Sequence, residues 1–443
     1  MRRSGCGTEG PAGIVHGAME TAAASQPARD AHAETAAGPI ALVLSGGGAR
    51  GAYEAGVLSY LLEDLPARLG RAVRFEIVTG TSVGAVHACY LAAAQDEPGA
   101  GQRLLDIWRS LSLDRVFAVG AVDLVRVPWQ LLGFGGLRPA LPPTGPVPER
   151  LPGLFDTGWL ETIVLDNIPW KTLRRNLDDG SMHALAIAAT EIATGRSIVF
   201  VDKHGDTSPG WEGDRFVIPR AAEIGPAHAL ASAAIPLIFP AIRIDRTYYC
   251  DGGLRLNTPL SPALRLGAER VLVIGLRYPR PAEEEDRIAR RREANVMQPT
   301  YLVGKALNAL LLDRVEYDLD RMRLFNAILE AGVRAYGPDF LMRINEPIVA
   351  LRKKPYRIVR NCMLRPSKDL GVLAAECLRH QTRSRGLRDW LSRNVVRFAG
   401  HGALAEADLL SYLFFDRCYA DHLIELGRHD AAQAAAELVA FFS

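Results

Sequence analysis

The stretch Ile77-Val78-Thr79-Gly80-Thr81-Ser82-Val83-Gly84-Ala85 restricts what this chain can fold into more than any other. A short apolar run ends in a glycine, then a serine, then a second glycine. The residues that follow, Val86 to Ala94, are alanine-rich and predict a helix. A serine between glycines on a strand-to-helix turn is a nucleophile elbow: the tight turn tolerates no bulk on either side and pushes the hydroxyl off the sheet edge. The helix that starts there also directs its N-terminal dipole at the serine, which favours negative charge on a reacting oxygen. Alone, the pentapeptide fits an ordinary βα turn with a capping serine equally well.

A second glycine-rich turn lies upstream. Ile40 to Leu44 predicts a strand, and Ser45-Gly46-Gly47-Gly48-Ala49-Arg50-Gly51 leads it into a helix from Ala52 to about Leu62. Converging backbone N–H groups at such a helix start form a nest for an anion, either a phosphate or the oxyanion of a tetrahedral intermediate. The segment formally fits G-x-G-x-x-G, but dinucleotide binding wants an acidic residue at the end of the next strand. That strand, Phe75 to Thr79, runs into Gly80-Thr81-Ser82, and its Glu76 sits near the start. No Gly-Lys-Ser/Thr follows the glycines, so the P-loop pattern fails as well.

Downstream, Tyr248-Tyr249-Cys250-Asp251-Gly252-Gly253 follows a strand-like alternation at Ala241 to Ile244. Two glycines display the Asp251 carboxylate on a turn. It is a base for serine if the fold brings the two within hydrogen-bond reach, and otherwise a plain Asp-Gly turn.

With these three segments in this order, the chain resembles the patatin-like phospholipase family. Gly46 to Gly51 matches the oxyanion motif, Gly80-Thr81-Ser82-Val83-Gly84 the nucleophile motif, and Asp251-Gly252-Gly253 the Asp-Gly-Gly/Ala motif. Thr190 to Gly195, Ala231 to Pro240 and Met363 to Leu370 also resemble family stretches, and the core likeness covers about Ile40 to Leu276. The resemblance implies a three-layer α/β/α fold around a mostly parallel sheet, and hydrolysis of acyl esters of phospholipids and other lipids. It implies a dyad, with Ser82 the nucleophile and Asp251 the proton acceptor. It makes Gly46, Gly47, Gly48, Ala49, Arg50 and Gly51 the oxyanion loop, with N–H donors from Gly47, Gly48 and Ala49. Gly80, Gly84, Gly252 and Gly253 would shape the turns, and Arg50 would orient the loop or meet a lipid phosphate. A carboxylate near its reference pKa of about 4 is a poor base for an alcohol, so such a dyad needs a desolvated acid and a strong oxyanion nest. No cofactor and no metal is expected, because no clustered ligand set stands out.

Three rival readings remain at this level. A serine hydrolase with a Ser, Asp, His chain order would draw on a histidine after Asp251, with His401 in Gly400-His401-Gly402 the best placed; His380 lies in a basic, helix-like stretch. An acyl-carrier transacylase would use His183, at the start of a buried strand. His87, five residues past Ser82, is turned to another helix face. A non-enzymatic lipid-binding or scaffolding protein would keep the fold without turnover, a reading that intact Ser82 and Asp251 oppose.

The 443 residues with 48% hydrophobic content supply a large core, and a net charge of +2 gives no sign of a nucleic-acid partner. Six cysteines without CxxC spacing read as free thiols of a reducing compartment. Residues 1–38 read as disordered, without a secretory h-region. No apolar run of about 18 residues predicts a membrane span. The expected setting is cytoplasmic with peripheral membrane contact, and the expected partner is a lipid or acyl-ester substrate. Domain boundaries are read as a catalytic α/β domain at 39–277 and a mainly helical region at 278–443 that packs on or completes it. Within the first, 127–158 is an apolar, proline- and glycine-rich segment that serves as a packed loop, or as a lid or interfacial patch. In the second, 300–336 predicts a long amphipathic helix, 341–348 and 356–364 strands, and the remainder helices.

Overall fold

The strands with the longest apolar runs in the sequence lie at the centre of one sheet, buried on both faces, as expected where helices cover both sides. The computed structural model describes residues 38–111, 158–205, 208–209, 211, 216–236, 238–292, 315–352, 355–384 and 406–443. The N-terminal segment, nearly all of the 127–158 segment, the helix expected at 387–398 and His401 lie outside the described residues.

Strand β1 (Ile40–Leu44) leads through a 3-10 turn into helix α1 (Gly51–Ser59), which continues as a π-helical turn into α2 (Leu65–Leu69). Next come β2 (Ile77–Thr81), α3 (Val83–Ala94), α4 (Ala100–Ser110), α5 (Gly158–Asn167), α6 (Trp170–Asp178), β3 (Ala184–Glu191), β4 (Arg196–Lys203) and β5 (Val217–Ala221). The chain goes on through α7 (Pro226–Ser232), β6 (Ile242–Ile244), β7 (Thr247–Asp251), α8 (Leu260–Leu266), β8 (Arg270–Ile274), α9 (Ala282–Arg292), α10 (Val315–Tyr336) and α11 (Phe340–Arg352). It closes with β9 (Arg360–Leu364), α12 (Leu370–Ser384), α13 (Glu406–Leu413), α14 (Arg417–Gln433) and α15 (Ala435–Phe442).

The strand order is β5-β4-β3-β2-β1-β8-β9, with β7 and β6 added beside β3. Pairs β3/β2, β2/β1, β1/β8 and β8/β9 are parallel, while β4 and β7 run antiparallel to β3. The result is the mostly parallel, helix-flanked sheet that the sequence predicts, with a largely helical C-terminal region. That region also contributes β9 to the sheet edge and packs α14 along α1.

Register at β3 decides where the functional groups meet. Thr81, the last residue of β2, pairs with Ala188. One position further along the same edge of β3, Ala189 pairs with Asp251, the last residue of β7. Thus β7 takes over the edge that β2 leaves, and the residue after Thr81 emerges beside Asp251.

Two readings of the C-terminal half need correction. Residues 341–348 are helical, within α11, not a strand. Apolar Leu341, Ile344 and Ile348 follow a helical spacing of three and four, and Pro347 is accommodated inside the helix. The strand expected at 356–364 is shorter, Arg360–Leu364.

Candidate active site

The elbow is built by close approach of backbone. A side chain at Gly80 would run into the Gly84 carbonyl, and one at Gly84 would lie 2.6 Å from the Leu44 carbonyl oxygen at the end of β1. Between them Ser82 takes φ 56°, ψ −125°, a left-handed conformation rarely held by a residue with a side chain. It is the N-cap of α3. Its own N–H donates to Ser232 Oγ at 2.9 Å, and Ser232 in turn donates to the Ala188 carbonyl at 2.6 Å. A serine on α7 therefore ties the strained turn to the central strand.

The Ser82 hydroxyl donates to Asp251 Oδ2 at 2.6 Å, across 169 positions of chain. The other carboxylate oxygen, Oδ1, accepts from the Gly253 N–H at 2.7 Å, which makes Asp251 the cap of a 3-10 turn opened by Gly252. The Asp251 main chain is held as well: its N–H donates to the Ala234 carbonyl, and its carbonyl accepts from Thr190 Oγ1. Asp251 is 1% exposed, and burial raises its carboxyl from the ordinary 3.8 to about 6, against the opposing pull of the Ser82 and Gly253 hydrogen bonds. The Cys250 thiol is pushed up to about 12 by burial, reinforced by the neighbouring Asp251 charge.

The glycine-rich loop stands over the serine. The Gly46 N–H donates to the Asn257 carbonyl and the Gly46 carbonyl accepts from Asn257 Nδ2, which clamps the loop's start. A side chain at Gly46 would come within 3.1 Å of Ser82 Cβ. Gly48 has φ +55° and lies against the Tyr412 carbonyl, where no side chain fits. Ala49 and Arg50 complete the 3-10 turn, and Gly51 opens α1. Among the described residues, nothing accepts from the N–H groups of Gly47 or Gly48. Arg50 is buried: its Nε donates to Ser411 Oγ at 2.8 Å, and its guanidinium stacks 4.0 Å above the Tyr412 ring. Arg50 is thereby tied to Ser411 and Tyr412 of α13.

Ser82 and Gly48 line a cleft. Its walls are apolar, with Val86, Ile107, Trp108, Trp159, Ile235 and Phe415 among the lining residues. Such a chamber suits a hydrocarbon chain better than a charged ligand.

A family profile described as Patatin-like phospholipase matches residues 42–264, half of the chain. This chain belongs to the patatin-like phospholipase family. A cGAMP-activated phospholipase of Pseudomonas aeruginosa is 30% identical to this patatin-like chain over 221 residues, 49% of this chain and 53% of the relative. The chain thus spans about half the length of the curated relative it matches. Among solved structures, VipD from Legionella pneumophila aligns over 87% of this chain and 67% of its own, at 14% identity and a TM-score of 0.32.

Of the histidines weighed from the sequence, the three among the described residues of this patatin-like protein stand apart from the serine hydroxyl. His183 is exposed and precedes Ala184, whose partner Ile77 begins β2, whereas Ser82 follows the other end of that strand. Five residues of strand separate them by about 16 Å. His87 faces the cleft but bonds elsewhere, with Nδ1 2.6 Å from Glu54 Oε2 and Nε2 accepting from Trp108 Nε1 at 2.9 Å. His380 is exposed on α12. Among the described residues, no helix is long and apolar enough to cross a membrane.

Several supports of the site carried no assigned role in the sequence reading. Ser232 and Thr190 lay in stretches that resembled the family, yet neither had a signal for its bond. Asn257, Ser411 and Tyr412 could not have been found, because their partners lie far away in the chain.

Proposed function

We propose that this protein is a lipid acyl hydrolase that works through a Ser82–Asp251 dyad and an acyl-enzyme. The observation that carries this reading is the 2.6 Å hydrogen bond from Ser82 Oγ to Asp251 Oδ2 at the mouth of an apolar cleft. The acyl chain of the substrate occupies the cleft, which puts its ester carbonyl over Ser82. Asp251 takes the Ser82 proton as Oγ attacks the carbonyl carbon. With its carboxyl near 6, Asp251 is about nine-tenths ionised at pH 7 and far more basic than a solvated aspartate. The open N–H groups of Gly47 and Gly48, with the dipole of α3, stabilise the oxyanion. Collapse of the tetrahedral intermediate expels the alcohol, which receives the proton held by Asp251. Water, deprotonated by the same carboxylate, then clears the acyl group. No step needs a metal or an organic cofactor.

The substrate class follows from the apolar lining and from the family: acyl esters of phospholipids and related lipids, met at the surface of a membrane or micelle. The test is hydrolysis of phosphatidylcholine in mixed micelles, with products followed by mass spectrometry. Wild type should release fatty acid, and Ser82→Ala and Asp251→Asn should not. Fatty-acid release by purified Ser82→Ala would overturn the proposal.

A further inference from the structure

Away from the cleft, a second group of reactive side chains converges. Cys377 on α12 and Cys418 at the start of α14 hold their sulfurs 2.9 Å apart, across 41 positions of chain. His422, one turn further along α14, places Nδ1 3.6 Å from the Cys377 sulfur and 3.8 Å from that of Cys418. Cys377 is buried, Cys418 half-buried and His422 exposed, so the cluster reaches solvent on one side. Both cysteines are free thiols.

Two chemistries suit such a trio: a thiophilic metal ion or a disulfide. His422 Nδ1 lies 2.7 Å from the Cys418 carbonyl oxygen. A contact that short to a carbonyl requires the proton on Nδ1, and a protonated ring nitrogen offers no lone pair to a metal. Two thiolates on one tetrahedral zinc, with bonds of about 2.3 Å, would also stand about 3.8 Å apart. The observed sulfurs are closer than that, and the arrangement favours the covalent alternative.

The position of the pair gives it a consequence. Cys418 lies three residues beyond Phe415, which walls the cleft, and in the same stretch Ser411 and Tyr412 hold Arg50 and Gly48 of the glycine-rich loop. We propose that Cys377 and Cys418 are a redox pair whose disulfide fastens the 411–418 stretch, and through it the glycine-rich loop and the cleft wall, to α12. The part of this that concerns activity rests on the function proposed above.

The oxidant is a peroxide. The half-buried Cys418 meets it first: its sulfur takes one oxygen from H₂O₂, giving a sulfenic acid and one water. The Cys377 sulfur then attacks that of Cys418, the S–O bond breaks, and the two thiol-derived protons and the oxygen leave as a second water. Two electrons pass from the dithiol to the peroxide. A thiol reductant reverses the bond by exchange. Because the sulfurs already touch, the linked form keeps the site as it stands and hardens it against opening.

The experiment treats the full chain with hydrogen peroxide and maps unreduced peptides by mass spectrometry, with thermal unfolding measured alongside. The expected result is a peptide pair joined through Cys377 and Cys418, lighter by two hydrogen atoms, and a Tm higher by about 5 °C. Dithiothreitol should reverse both changes, and Cys418→Ser should show neither. Serine-directed fluorophosphonate labelling after a mild heat step should survive better in the oxidised wild type than in the reduced one. Absence of the joined peptide, or a joined peptide with an unmoved Tm, overturns the proposal. So does a Tm rise produced in the reduced protein by zinc(II) and lost in Cys418→Ser, which would make the cluster a metal site. Linkage and Tm are read without turnover, so their failure removes the redox pair alone. Failure of Ser82 to label in either redox form would instead remove the catalytic reading.

Discussion

Two buried carboxylates flank helix α3, and they do different things. Asp251 faces the hydroxyl at the helix's N-cap; Glu54 faces the imidazole of His87 within the helix. Both are almost wholly excluded from water, and burial raises both. Glu54 has an imidazole partner at 2.6 Å, and it also accepts from the Ser45 N–H at 3.1 Å. His87 is fixed in turn by Trp108. That closed chain is a structural pair. Among the described residues, the Asp251 carboxylate has an alcohol and one main-chain N–H as its hydrogen-bond partners, which leaves its charge largely uncompensated. Under the function proposed above, what would separate a structural acid from a reactive one here is the identity of the partner, not the depth of burial: an uncompensated charge against a hydroxyl is what can draw a proton from it.

The contrast predicts a graded set of effects. Removing the proposed nucleophile should be the most damaging: Ser82→Ala should lower kcat for a soluble ester by about a thousandfold or more while leaving the circular dichroism spectrum unchanged. Asp251→Asn should cost activity on the same order, yet gain stability. Because burial holds the native carboxyl near 6 rather than 3.8, the folded state binds more proton than the unfolded state between those values, so wild-type stability falls as pH rises through that window. Above pH 7 the substitution should therefore stabilise by up to about 3 kcal/mol, and at pH 3 by nothing, as urea titrations at the two pH values would reveal.

Next in size is Gly48→Ala, which must strain a positive-φ residue and displace the Tyr412 carbonyl. A fall of about a hundredfold in kcat with little change in KM is expected, the pattern of a lost oxyanion donor. The pH profile should show the acid limb of kcat/KM bending near 6, with about a tenfold loss per pH unit below it. A limb bending near 4 would mean that Asp251 is solvated during turnover. The smallest effect on activity, within about tenfold, should come from His87→Ala. That change leaves Glu54 buried without its partner and should destabilise by about 3 kcal/mol, measurable in the same urea titrations. If His87→Ala abolished turnover without loss of stability, the distinction between the two acids would break.

Much of this was legible in the chain because it is local. The glycine spacing around Ser82 encodes the elbow, since the turn cannot close over a side chain at Gly80 or Gly84. The apolar run at Ile40 to Leu44 and the helix beyond it were readable for the same reason. Asp251 was readable only as a displayed carboxylate. Its meeting with Ser82 depends on β7 replacing β2 along β3, a pairing between distant segments that no local pattern records. The support of the loop by Ser411 spans 361 positions and had no signal at all. Helix α11 was misread because a short apolar stretch with an internal proline satisfies strand and helix templates alike.

The central claim, that Ser82 forms a covalent acyl intermediate with Asp251 as its base, is tested most directly by trapping. The enzyme would be mixed with a slowly hydrolysed p-nitrophenyl acyl ester, quenched in acid within the first turnover, and digested for mass spectrometry. The account predicts a stoichiometric burst of nitrophenol and one peptide carrying the acyl group on Ser82, with neither from Asp251→Asn. Turnover with Ser82 unmodified at every quench time, or an acyl group on another residue, would contradict it.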